Sequence, residues 1–195
     1  MLQYFKANKP KVSLSLIAVF FISLILTSIF DNLNSVLVLY PSNLAEPWNW
    51  YRLLTYPLCV GSIVNWLHTS IVFILTGFII EKRLQKKDII LYIFLSSIIG
   101  GLVFIIVNQN QPYNIGLASP IIITWGYWAT ALITGIRDWK NLIVFEKVII
   151  ALCILSFLGL FSEDIGLMLA QFSAVILISI MTLTKRQKRL TENNG

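Results

Sequence analysis

Four residue types in this chain could do chemistry together: a serine, two carboxylates and one histidine. Ser119 stands in the stretch NIGLASPIIITWGY, where an apolar run begins after the polar, uncharged turn NQNQPY. Glu163 and Asp164 are adjacent acids just ahead of another apolar run, and His68, the only histidine, lies inside a third. A serine hydroxyl is a weak nucleophile until a neighbouring base takes its proton, so Ser119 would need one of the other three. A carboxylate can act as that base, and desolvation at a membrane site would raise its pKa. Cys59 and Cys153 both lie in apolar sequence without CxxC or Cys/His spacing, and read as small buried hydrophobes. No metal site and no cofactor are expected.

Each candidate also has a plainer reading. Ser119 is followed by Pro120, which is well tolerated in a first helical turn, so the hydroxyl would cap a helix by accepting a free backbone N–H. Glu163 and Asp164 would complement the N-terminal end of the helix that follows. His68 is a functional candidate by its position inside an apolar span, and otherwise a packing residue hydrogen-bonded to a neighbouring helix. For all three the plainer reading is the one adopted.

The elements that would position these residues are membrane helices. The chain has 195 residues, 57% hydrophobic and 12% charged, against about 25% charged in soluble domains. Six apolar runs are near the roughly 20 residues that cross a bilayer: 12–30, 62–80, 89–107, 115–136, 142–161 and 165–184. Continuous hydrophobicity without alternation favours helices over a β-barrel. The first run lacks a small-x-small cleavage site and is read as an uncleaved span. The expected fold is an all-α polytopic bundle forming one domain over residues 1–195, with short basic tails at 1–11 and 185–195.

The six-span arrangement puts fourteen of the fifteen basic residues on one face. They are Lys6, Lys9 and Lys11; Lys82, Arg83, Lys86 and Lys87; Arg137, Lys140 and Lys147; and Lys185, Arg186, Lys188 and Arg189. Only Arg52 falls on the other face. The positive-inside rule then places both termini in the cytoplasm, with a bacterial inner (plasma) membrane as the expected location. The charge of +6 is accounted for by topology, and a nucleic-acid partner is not expected. Between the first two runs, Trp48, Trp50, Tyr51 and Tyr56 suggest a large outer loop lying partly embedded at the interface. Ser96, Ser97, Gly100 and Gly101 form two small-xxx-small pairs that would let neighbouring segments approach closely.

Six spans, a large first outer loop and several motifs resemble the rhomboid family of intramembrane serine proteases, from about residue 48 to 184. The text WNWYRLLTYPL resembles the family's Trp-Arg pair followed by LLT, with Arg52 on the Arg and Tyr51 replacing the Trp. In the family's second helix a His is followed by a second His, an Asn, a Gly and a Glu at fixed spacing. Gly77 and Glu81 match, while Val60, Asn65 and Thr69 occupy the His, His and Asn positions. In the fourth helix the family has G-x-S-G and a further Gly. Gly116 and Gly126 match, Ala118 takes the nucleophile position and Ser119 that of the second Gly. In the sixth helix Gly166 and Ala170 fit the frame that follows the catalytic His, whose own position holds Glu163, or Asp164 in a frame one residue later. His68 precedes the Asn position, about 100° away around the helix, and lies on the wrong helix for the family's Ser-His dyad.

The resemblance implies a serine endopeptidase architecture whose nucleophile, base and two helix-two polar residues are replaced. The Ser-Pro pair removes an N–H where oxyanion stabilisation would be needed, although Asn65 could still donate. The reading that follows is a catalytically inactive pseudoprotease binding transmembrane segments of client proteins, as the Derlins among inactive relatives are thought to do. In that reading Asn65, Thr69 and Glu163 keep a cavity polar, and Arg52, Gly77, Glu81, Gly116, Gly126 and Gly166 are structural. The alternative is an active intramembrane protease with its site shifted to Ser119. A small transporter or channel is a third reading, disfavoured because the chain shows neither an internal repeat nor a mid-span charged pair.

Overall fold

The computed structural model of the chain describes residues 9–42, 46–110, 116–156 and 164–192. Among these the fold is helical. Its helices are α1 (Lys11–Ile29), α2 (Asp31–Leu37), α3 (Arg52–Thr55), α4 (Ile63–Arg83), α5 (Lys86–Asn108), α6 (Ile121–Arg137), α7 (Val144–Ser156) and α8 (Ile165–Glu192). Four are long and apolar enough to cross a membrane: Lys11–Ile29, Ile63–Arg83, Lys86–Asn108 and, within α8, Ile165–Thr184. The described helices α6 and α7, at 17 and 13 residues, are shorter. Successive long helices run in opposite directions, which gathers Lys82, Arg83, Lys86 and Arg137 at one end of the bundle, called here the basic end. The other is the loop end.

α1 packs on α4, α4 on α6, and α5 and α6 on α8. The α1–α4–α6 contact is aromatic, with Phe20 stacked on Phe73 and Phe73 edge-on to Tyr127 at 4.7 Å. The small residues of α5 serve two partners. Gly100 lies against Ile122 of α6 and the Ala170 carbonyl of α8, and Ser96 lies against Gly126. One residue further round the helix, Gly101 faces Leu39, Leu53 and Tyr56 of the segment between α1 and α4. The Ser97 hydroxyl donates to the Leu53 carbonyl and the Tyr56 hydroxyl to the Ser97 carbonyl. Helix α5 can therefore have tertiary structure on both flanks only because both flanks are small.

Two expectations are corrected here. The fourth helix starts at Ile121, not near residue 115: Leu117 is extended because its N–H and carbonyl both pair with Leu39. Tyr56 does not lie at the interface with Trp48, Trp50 and Tyr51. It is fully buried in a cluster with Leu39, Leu53, Phe104, Leu117 and Ile122.

Candidate functional site

At the loop end, α6 and α8 begin side by side against α5. Ile122 and Ala170 meet at Gly100, and Gly166 packs on the side chain of Asn108. Ala118 and Ser119, both half-buried, lie on the lead-in to α6, and Asp164 immediately precedes α8. Gly116 takes Tyr40 and Val38 into the space where a Cβ would stand.

Among the described residues the Ser119 hydroxyl makes one hydrogen bond, accepting from the Ile121 N–H at 3.2 Å. That bond satisfies one of the N–H groups left free at a helix start. The N-cap residue itself is Pro120, so Ser119 acts one position earlier than a standard cap. Asp164 behaves alike: its Oδ2 accepts from the Gly166 N–H at 2.9 Å. Both groups are thus turned onto their own helix starts, and no hydrogen bond joins them. Glu163 lies outside the described residues.

The helix-two positions divide. Thr69 is buried, and Val60 is fully buried in the α1–α4–α6 cluster. Asn65 and His68 are exposed on α4. For His68 this departs from the expected interhelical hydrogen bond: among the described residues its side chain has no partner. Helix α4 starts where Gly61 takes a positive φ of 71° and Ser62 caps it, the hydroxyl accepting from the Asn65 N–H.

The remaining motif residues hold elements together. Arg52 Nη1 donates to the Ser35 and Val38 carbonyls, both at 2.7 Å, tying the end of α2 to α3. Glu81 reaches from α4 to the start of α1, where its carboxylate accepts from Val12 N–H, Ser13 N–H and the Ser13 hydroxyl. Gly77, one turn earlier, makes room for Ser13 and Pro10. A carboxylate at a helix N-terminus complements the dipole and satisfies free donors together.

Sequence reasoning missed one ionic cluster at the basic end. Arg83 donates to both oxygens of fully buried Glu146 and to Asp138 at 3.0 Å. Glu146 also accepts from the Ile143 N–H, the backward half of a capping box at the start of α7. The only signal in the sequence was a lone Glu in the first turn of an apolar run.

These features can now be set beside known proteins. The rhomboid-domain family model matches residues 47–183, from the 3-10 turn Pro47–Asn49 before α3 to near the end of the apolar part of α8. The chain belongs to the rhomboid family. No curated protein and no solved structure matches it.

Proposed function

We propose that this rhomboid-family chain is a catalytically inactive membrane protein that holds transmembrane helices of client proteins. The observation that carries this reading is at the nucleophile position. Ala118 stands there, and the neighbouring Ser119 hydroxyl is engaged by the Ile121 N–H rather than by a base. Pro120 supplies no N–H for an oxyanion, and the single histidine is on α4, not on α8. An intact bundle with the reactive groups replaced keeps the capacity to recognise a helix while lacking the means to cut it.

The same reading takes six spans and a first loop partly embedded through Trp48 and Trp50. It puts both termini in the cytoplasm of a bacterial inner membrane, since the basic end gathers the lysines. Labelling of the purified protein with a fluorophosphonate probe tests the inactivity. The expected result is no labelling, with an active rhomboid labelled in parallel. Labelling of the native chain that disappears in Ser119→Ala would overturn it and establish the second reading, a shifted intramembrane endopeptidase. That alternative draws on the placement of Ser119 and Asp164 at the same end of the bundle.

A further inference from the structure

The turn between α6 and α7, the 3-10 helix Trp139–Asn141, is held from two sides. The Asn141 side chain donates to Asp138 at 2.6 Å, and Arg83 of α4 donates to the same carboxylate at 3.0 Å. This fixed turn presents Trp139 and Lys140, both exposed, and Lys147 of α7 places its ammonium 5.5 Å from the centre of the Trp139 ring. Charge is out of balance here. Lys82, Lys140 and Lys147 adjoin the Arg83–Glu146–Asp138 cluster, so four cations meet two carboxylates. Both carboxylates are already engaged by Arg83, and Lys82 is 3.7 Å from Glu146. Among the described residues, Lys140 and Lys147 make no ion pair. Lys147 also stands in the first turn of α7, where the helix dipole disfavours a cation.

An apolar strip runs from this corner along α7. Val144, Val148 and Leu155 are exposed and lie within about 40° of one another around the helix, with Lys147 about 60° from Val144. Leu155 is about 16 Å along the axis from Val144, close to the depth of one leaflet. Trp139 is a side chain that favours the membrane interface. A free anion would match the lysines and leave the strip uncovered. An acyl chain alone would cover the strip and leave the lysines without an anion. A phospholipid of net negative charge meets both demands, because its phosphodiester oxygens accept from the two ammonium groups while its chain lies on the strip. A zwitterionic headgroup brings a cation of its own, which competes with the lysines for the phosphate. We propose that the α6–α7 turn is a binding site for one anionic phospholipid, with Lys140 and Lys147 on its phosphate, Trp139 at the level of its glycerol backbone, and Val144, Val148 and Leu155 along its acyl chain. This site is independent of whether the chain holds client helices or cuts them.

The test is native mass spectrometry of the full chain, released from a neutral detergent that holds equal amounts of phosphatidylglycerol and phosphatidylcholine with the same acyl chains. The expected result is a first lipid adduct about fivefold or more richer in phosphatidylglycerol, the scale of one lysine near an anionic lipid surface. Lys140→Gln and Lys147→Gln each lower that preference, and together they remove it. Lys147→Arg, which keeps the charge and the ring contact, retains it. Lys86→Gln with Lys87→Gln removes the same charge at the α4–α5 corner and leaves the preference unchanged. Neither Lys140 nor Lys147 has a described ion pair to lose, so the thermal midpoint of their Gln variants in detergent should match that of the native chain. Equal uptake of the two lipids by the native chain would overturn the proposal. A loss of preference as large from Lys86→Gln with Lys87→Gln would also overturn it, leaving only a diffuse attraction to the basic end. Displacement of the bound lipid by inorganic phosphate would assign the lysines to a free anion and overturn it as well.

Discussion

Glu81 shows how one side chain can fasten two helices. Its three hydrogen bonds all go to the first turn of α1, where N–H groups have no partner within their own helix. Hydrogen bonds to a charged group contribute about 1.5–3 kcal/mol, so Glu81→Ala is expected to lower stability by about that amount. Glu81→Gln, which keeps an acceptor, should lose less, and thermal unfolding in detergent measures both. Equal losses would mean that an uncharged acceptor contributes nothing there and that the charge carries the fastening. Cys59 gives a second residue-scale expectation. Burial pushes its thiol up to about 11, with the Arg52 charge drawing it partly back. The thiolate is the reactive form, so it becomes scarcer at neutral pH. In a Cys153→Ala background, a maleimide at neutral pH should leave native Cys59 unmodified and label it on denaturation. Rapid native labelling would show the loop around Cys59 to be open.

At the scale of elements, the Arg83–Glu146–Asp138 cluster decides how α7 joins the bundle. Glu146 is fully buried, and its carboxylate meets both Arg83 and the Ile143 N–H. Removing one partner of a buried pair leaves an uncompensated charge, and Glu146→Ala is expected to cost about 3–5 kcal/mol. Replacing both, Arg83→Met with Glu146→Leu, should recover most of that loss. A double variant no more stable than Glu146→Ala alone would contradict this account. Asp138 lies at the solvated edge. The Asn141 side chain first, and then Arg83, hold its carboxyl below the usual range. Because the shift is downward, its contribution is present at neutral pH and is lost as pH falls through the lowered value. Asp138 is one-third exposed, so the effect is small, at most about 1 kcal/mol. The difference in stability between the native chain and Asp138→Asn should be measurable at pH 7 and vanish well below pH 3.8.

For the whole molecule, the segregation of fourteen of fifteen basic residues is the main predictor of orientation. Reporter fusions after Leu84 and Lys140 should give cytoplasmic signals, and one after Asn110 a signal from the opposite side. A cytoplasmic reporter at Asn110 would break the six-span topology. Family membership, the helical class and the long apolar helices could all be read from the chain, because hydrophobic run length and motif spacing are local properties. The packing role of Ser96, Ser97, Gly100 and Gly101 could be read for the same reason, since small residues at helical spacing leave room whatever fills it. Their partners could not: α6 and α8 on one flank and Leu53 with Tyr56 on the other are brought there by long-range contacts. The late start of α6 depends likewise on Leu39 pairing with Leu117 across the chain. Glu81 could be read as a motif residue with a structural role and Glu146 only as a lone Glu in a first helical turn, and the juxtaposition of α1 with α4, and of α4 with α7, turned them into fastenings. His68 was visible as the chain's only histidine, inside an apolar run. Its exposure on α4 depended on where the neighbouring helices come to rest, which no local spacing specifies.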